Sequence, residues 1–465
     1  MQGSGLYESF GDVTSRGPHR PAVIDFDGRT WSYEELLAGI ETAAEQLARV
    51  AKGDVLGLAD DEPVAFLAWY LAAAKLGIVT VLLDSQLSAP ELERSVTKYD
   101  ISWLAGDELR HVARERPSTG YEPGDFVVHC TSGSTGEPKG IVMSEAAIAA
   151  RVRLWAGDLD LSPADVVLCA LPLSHCHGID VLTLPALLSG ATVVFARGRH
   201  LTARGFARRV EEHGVTLVSG LPIMYQMLTA ASGVKAGALR SLRLAISGSA
   251  PLPVSTQQDF LERFGLPLRQ VYGLSEIGVI CFDKAYVGGG SVGLPVSGIE
   301  WRLEPVDEQL HEIHVRGPAL ARGYYRDSAA TGHMFQDGWL RTRDFVLAEP
   351  DGWYVRGRQS GFINVAGTKV GPLEVEAALR ECPGVRECAV AGVPDDVSTE
   401  QVAALIVVDE DFELSLVKRL LAERLLPSQL PQRYEIVAAL PRTPLGKVDY
   451  SVAKRLLIGN EVAVG

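Results

Sequence analysis

"HCTSGSTGEPKG", His129 to Gly140, follows the apolar run Phe126-Val127-Val128 and precedes a second, Ile141-Val142-Met143. Gly133, Gly136 and Gly140 allow the backbone close to a ligand. Thr131, Ser132, Ser134 and Thr135 offer hydroxyls and N–H groups, and Lys139 adds a point charge. This composition suits phosphate. The spacing, G-x-x-G-x-x-K, departs from the G-x-x-x-x-G-K-[ST] of the P-loop. A helix start, Ser144-Glu145, comes only after the second apolar run. The segment therefore reads as a loop joining two strands. Ser/Gly clusters are also ordinary turn chemistry, so the rest of the chain must decide.

Working outward, 465 residues allow about three domain-sized units, and 47% hydrophobic with 22% charged residues predicts a chain folded throughout. The formal net charge of -14 argues against a nucleic-acid partner but leaves room for a nucleotide in a local site. Six cysteines without C-x-x-C pairs fit a reduced, cytoplasmic protein. The first residues lack the apolar core of a signal peptide. The most apolar later stretch, Val64 to Leu83, carries Lys75 and reads as a buried helix followed by the strand Ile78 to Leu83. No membrane span is expected.

"AVIDFDGRTWSYEELLAGIETAAEQLARV", from Ala22, predicts a hairpin turning at Asp27-Gly28, then a capping box, Ser32 with Glu35, opening an amphipathic helix. Short apolar runs such as Val193-Val194-Phe195, Leu217-Val218 and Leu244-Ala245-Ile246 alternate with helical patterns such as Phe206 to His213. That alternation predicts an α/β fold of helix-covered parallel sheets. From about Arg343 the character changes to hairpin-like strands, turn-rich sequence and a helix over Ser415 to Leu426. The expected organisation is a large N-terminal domain with a small β-subdomain over 1–357, and a small C-terminal α+β domain over 358–465.

Further motifs follow in order: "LPLSHCHGID" (Leu171 to Asp180), "ISGSAPL" (Ile246 to Leu252), "QVYGLSEIG" (Gln270 to Gly278), "GWLRTRD" (Gly338 to Asp344), "GRQSGFINVAGTKVGPLEVE" (Gly357 to Glu376) and "LPRTPLGKVDY" (Leu440 to Tyr450). Together with the opening loop they resemble the adenylate-forming superfamily of acyl- and aryl-CoA synthetases, peptide-synthetase adenylation domains and luciferases. The resemblance implies ATP-dependent conversion of a carboxylic acid to acyl-AMP and pyrophosphate, followed by transfer to a second nucleophile.

Carried onto this chain, the resemblance assigns Thr131, Ser132, Gly133, Ser134, Thr135, Gly136 and Lys139 to the departing phosphates. Gly248, Ser249, Ala250, Tyr272 and Gly273 would hold adenine. Glu276 would hold Mg²⁺ with Thr131, beside Ser275, which stands where Thr is commoner. Asp344 and Arg358 would hold the ribose, and Lys447 would contact the carboxylate and α-phosphate as charge builds there. His175, grouped with Lys447 and Glu276 as catalytic, would also line the acid pocket with Cys176, Gly178, Ser219, Ile223 and Gly273. Cys176 stands where α-amino-acid-activating relatives carry Asp, which favours an aryl or acyl acid. Gly367 and Lys369 would line a pantetheine tunnel, so the acceptor is CoA or a phosphopantetheinylated carrier protein; a nitrogen nucleophile, or a non-catalytic nucleotide-binding role, are the alternatives. Ser360 stands at the hinge about which the small domain would rotate. Asn364 replaces a common Lys, and Arg343 replaces the Gly of a T-G-D pattern.

Overall fold

The structure, a computed structural model, describes residues 5–112, 120–131, 139–198, 201–306, 309–358, 361–365, 368–395, 398–443 and 446–459. The chain divides into two compact units, Met1–Arg302 with His314–Arg341, and Leu303–Ile313 with Thr342–Gly465.

The larger unit is built on two sheets. One runs, edge to edge, Leu294–Pro295, Gly278–Phe282, Leu268–Leu274, Leu244–Ser247, Leu217–Gly220, Val166–Cys169, Thr192–Phe195, Pro21–Ile24, Thr30–Ser32. Its six inner strands, from Leu268–Leu274 to Pro21–Ile24, are parallel. The other runs Gly323–Tyr324, Lys139–Ser144, Asp125–Thr131, Val79–Leu82, Val55–Leu58, Trp103–Ala105, Arg110–His111. Side chains alternate across each sheet, as a period of two demands. Val127, Leu56, Val167, Val193 and Leu217 join a core shared with the helices Leu6–Arg16, Tyr33–Leu47, Pro63–Leu76 and Glu145–Asp158. Their neighbours point the other way: Leu168, Val194 and Val218 pack with Phe206 and Phe260, and Val55 and Val128 with Tyr99.

Local sequence explains the elements. The Ser32 hydroxyl accepts from Glu35 N at 3.1 Å and the Glu35 carboxylate from Ser32 N at 2.7 Å, closing the predicted capping box. The helix Pro63–Leu76 is apolar on all sides, which suits a helix enclosed by others. Asp125–Thr131 and Lys139–Ser144 pair antiparallel with Thr131 opposite Lys139, so the opening stretch does connect two strands. Ser132, Gly133, Ser134, Thr135 and Gly136 lie outside the described residues.

In the smaller unit Asp344–Ala348 pairs with Trp353–Arg358. Beyond these comes a sheet ordered Thr368–Val370, Ile363–Val365, Thr399–Val408, Val385–Asp395, with Arg433–Ile436 added to Thr399–Val408. The helices Pro372–Arg380, Leu414–Ala422 and Tyr450–Ile458 accompany it. The second of these stops at Ala422, four residues before the expected end. Leu426 precedes Pro427, which disfavours helical backbone, and it is extended at φ -66°, ψ 153°.

Candidate active site

Both ends of the phosphate-type loop are held by strand pairing, which leaves Lys139 on the first residue of the return strand. The edge strand Gly323–Tyr324 lies against that return strand, with Tyr324 opposite Ile141. As a result the Lys139 ammonium sits 5.0 Å from the centre of the Tyr324 ring. The Tyr324 hydroxyl donates to Glu276 Oε1 at 2.7 Å, so one aromatic ring joins a cation and a carboxylate beside the loop. Thr131 Oγ1 stands 3.4 Å from the Lys139 carbonyl, across the mouth of the hairpin. Glu276 and Lys139 are both half-buried.

Glu276 follows the strand that carries Tyr272 and Gly273. A side chain on Gly273 would collide with the Gly278 carbonyl oxygen at 2.3 Å, and one on Gly248 with Val271 at 2.6 Å. These glycines let neighbouring backbones close up beside Tyr272. Ser249 holds φ +64°, a conformation that costs a non-glycine residue about 1–3 kcal/mol unless its surroundings enforce it. Here they do: the Ser249 hydroxyl is 2.8 Å from His177 Nδ1, and the Ser219 hydroxyl is 2.7 Å from His177 Nε2. The imidazole thus bridges Ser219, on the strand Leu217–Gly220, and Ser249.

The same motif continues inward. Gly178 packs so tightly under Pro172 that a Cβ would stand 2.2 Å from its carbonyl oxygen. His175 and Ile223 are half-buried, the latter at the start of the helix Pro222–Ala230. Burial pushes the Cys176 thiol up to about 12, against the opposing pull of Arg151, so the sulfur stays protonated at neutral pH. Arg151 Nη1 lies 3.2 Å from that sulfur and 2.7 Å from Asp180 Oδ2. Arg151 Nη2 donates to the Ser275 carbonyl at 3.0 Å. His129 Nε2 stands 3.0 Å from Asp180 Oδ2 as an ion-pair contact, not as an aligned hydrogen bond. Burial alone would raise the Asp180 carboxyl; His129 and Arg151 outweigh it and hold the carboxyl below its ordinary value. A buried His129–Asp180–Arg151 group therefore ties the loop strand, the histidine motif and the Glu276 segment together.

In the smaller unit, Asp344 and Arg358 face each other across adjacent strands, Nε to Oδ1 at 3.1 Å. Arg358 Nη2 also donates to the Thr342 carbonyl at 3.3 Å. Arg343, between Thr342 and Asp344, holds φ +59°, which is the physical reason a glycine suits that position. Lys447 closes a tight turn: Thr443 N donates to the Lys447 carbonyl and Gly446 N to the Thr443 carbonyl, each at 2.8 Å. Lys369 is opposite Asn364 in the pairing of Thr368–Val370 with Ile363–Val365. Gly367 and Ser360 lie outside the described residues.

Sequence reasoning placed His175 foremost in its motif, yet the hydrogen bonds to Ser219 and Ser249 belong to His177. It missed Tyr324, Arg151, Asp180 and the role of His129. Tyr324 reaches Glu276 through a strand pairing between distant parts of the chain, which no local pattern announces. Arg151 had a signal: an arginine on the buried face of a helix otherwise lined by Ala147, Ile148 and Val152.

A cation, a carboxylate and hydroxyls gathered at the mouth of a glycine-rich hairpin, carried on sheets with helices against them, suit a nucleotide-using α/β enzyme. Comparison with known proteins gives the family: the chain belongs to the adenylate-forming superfamily, matching the AMP-binding enzyme family over residues 10–124 and 103–325 and the AMP-binding enzyme C-terminal domain over 374–447. It is 33% identical over 476 residues to a feruloyl-CoA synthase from an Amycolatopsis species, covering 93% of this chain and 94% of that one. It is 30% identical over 491 residues to an indoleacetate–CoA ligase from Aromatoleum aromaticum, covering 94% and 95%. Among solved structures, ATP-bound MatB from Rhodopseudomonas palustris superposes with a TM-score of 0.88 at 24% identity, over 98% of this chain and 100% of that one.

Proposed function

We propose that this chain is an acid–thiol ligase that uses ATP to convert an aryl or acyl carboxylic acid to acyl-AMP with release of pyrophosphate, then passes the acyl group to CoA. Its full-length relatives join carboxylic acids to CoA, and the pocket position occupied by Cys176 holds no carboxylate to pair an α-ammonium group. The observation that carries the reading is the Lys139–Tyr324–Glu276 grouping at the mouth of the loop hairpin.

Lys139 is the cation for the departing phosphates, and Tyr324 keeps the Glu276 carboxylate turned toward it. Glu276 and Thr131 offer oxygen donors only, which is the set Mg²⁺ prefers, so the residues fit that ion. When bound, Mg²⁺ supplies charge neutralisation to the phosphate oxygens. His177 fixes the wall between the acid and the base, Tyr272 stacks the base, and Asp344 with Arg358 takes the ribose hydroxyls. The 358–465 segment carries Lys447 and rotates about Ser360 between the two half-reactions, with Gly367 and Lys369 meeting the pantetheine arm. A carrier protein bearing the same arm is the second acceptor of this reading. No helix among the described residues is long and apolar enough to cross a membrane, and all six cysteines are free, which supports action in the cytoplasm.

The test is pyrophosphate release across a library of acids, with and without CoA. Release with aryl or acyl acids and thioester formation with CoA is the expected result. Release greatest with free α-amino acids would overturn the assignment of the pocket.

A further inference from the structure

The turn that carries Lys447 is closed by few bonds of its own. Thr443 N donates to the Lys447 carbonyl, Gly446 N to the Thr443 carbonyl and Asp449 N to the Pro441 carbonyl, each at 2.8 Å. Among the described residues its two legs pair at one bridge, Arg442 with Val448. A two-stranded hairpin is marginal on its own in water. These bonds shape the turn, but its place on the smaller unit must be set by groups outside it.

Two side chains reach outward, one from each leg. Arg442 Nη1 donates to the Gly446 carbonyl at 2.8 Å, on the peptide that joins Gly446 to Lys447, while Nη2 pairs with Glu387. From the other leg the Tyr450 hydroxyl meets Glu376, Oε1 at 2.9 Å and Oε2 at 3.1 Å. Glu376 is fully buried and accepts from Val390 N at 2.9 Å. Glu387 and Val390 belong to one strand, Val385–Asp395, which is paired with Thr399–Val408 along its length. Both legs are thereby fixed to the same strand.

Stability alone accounts poorly for these contacts. The Arg442 and Glu387 side chains are 31% and 32% exposed, and ion pairs so open to solvent contribute little. Arg380 and Val390 N already take one Glu376 oxygen each, so that carboxylate is met without the phenol. What the two contacts do fix is position, and a misplacement of about 1 Å at a reacting centre can cost about 10² in rate.

We propose that Arg442 and Tyr450 are positioning residues for Lys447, holding its turn on the strand Val385–Asp395 so that the ammonium meets the reacting carboxylate and α-phosphate. This rests on the role given to Lys447 above and adds the residues that aim it.

The test measures, in single turnovers of the full chain, acyl-AMP formation from acid and ATP and thioester formation from supplied acyl-AMP and CoA. Their ratio within one preparation is unaffected by the fraction of enzyme correctly folded. Arg442→Met keeps the stem and removes both donors; it should lower the ratio of the first rate to the second about tenfold. Tyr450→Phe removes only the hydroxyl and should lower it several-fold. Exchanging the charges, Arg442→Glu with Glu387→Arg, restores an ion pair but leaves position 442 unable to donate to the Gly446 carbonyl, so the ratio should stay low. A parent-like ratio in both single variants, or its recovery in the exchanged pair, overturns the inference. If Lys447→Ala lowers the ratio while those variants do not, the role of Lys447 stands without these anchors. If Lys447→Ala also keeps the parent ratio, that role falls with them.

Discussion

A single hydroxyl decides how the Glu276 carboxylate is aimed. Tyr324 holds it at 2.7 Å while its ring faces Lys139, so Tyr324→Phe keeps the ring and removes only the hydrogen bond. Hydrogen bonds to charged groups contribute about 1.5–3 kcal/mol, and the expected result is a roughly tenfold or greater fall in kcat/KM for MgATP with little change in thermal stability. Unchanged steady-state kinetics would reduce Tyr324 to packing. Glu276→Gln goes further, since the amide keeps the shape and loses the charge; adenylation should fall by about 10²–10³ and its Mg²⁺ titration should shift to higher concentration. An unaltered titration would separate Glu276 from the ion. Residues of this kind were legible where a motif spelled them, as with Glu276 in Y-G-x-S-E. They were illegible where a long-range pairing supplied them, as with Tyr324. The φ of +59° at Arg343 shows a third case: the sequence displayed the departure from glycine, and only the backbone explains why glycine suits the position.

Among the elements, those governed by local rules were the readable ones. The capping box at Ser32, the turn at Gly28 with φ +85°, the helix Pro63–Leu76 and the strand Val79–Leu82 all follow from side-chain types within a few residues. The helix Leu414–Ala422 was overextended because its apolar period runs on into Leu425 and Leu426, where Pro427 intervenes. The helix Pro372–Arg380 shows what such patterns omit. On its inner face Glu376 is fully buried, pairing with Arg380 at 2.7 Å, Val390 N at 2.9 Å and the Tyr450 hydroxyl at 2.9 Å. Burial raises the Glu376 carboxyl above its ordinary value despite Arg380. A raised acid favours the folded state fully below its unfolded value of about 4.3, and that contribution is lost as pH rises through the folded value. Glu376→Gln should therefore flatten the decline in unfolding midpoint on going from mildly acidic to neutral pH. Glu376→Ala, which empties a fully buried position and takes the carboxylate from half-buried Arg380, should cost about 2–3 kcal/mol in denaturant titration. A Gln variant with the parent's pH profile would show that other groups set that slope.

At the scale of the whole molecule, the helix-covered sheets and the small C-terminal α+β unit were legible because apolar runs and helical patterns alternate over long stretches. The function was legible because several weak motifs stand in one order. What the order leaves open is the division of labour between the units, and Lys447 puts that to the test. It sits on a turn of the smaller unit pinned by Thr443, Gly446 and the pairing of Arg442 with Val448, which sets its backbone. A positive charge matters where pentavalent phosphorus gathers negative charge, during formation of acyl-AMP, and removing such a preorganised contact typically costs about 10²–10³ in rate. Thioester formation from acyl-AMP already in place needs the acceptor thiol and not this lysine. Lys447→Ala should therefore lose acid-plus-ATP turnover by that factor while converting supplied acyl-AMP and CoA to the thioester near the parent rate. Single-turnover measurement of the two half-reactions reads the split directly. Equal loss in both would trace the defect to folding or docking of the smaller unit, and no loss in either would return Lys447 to the solvated surface.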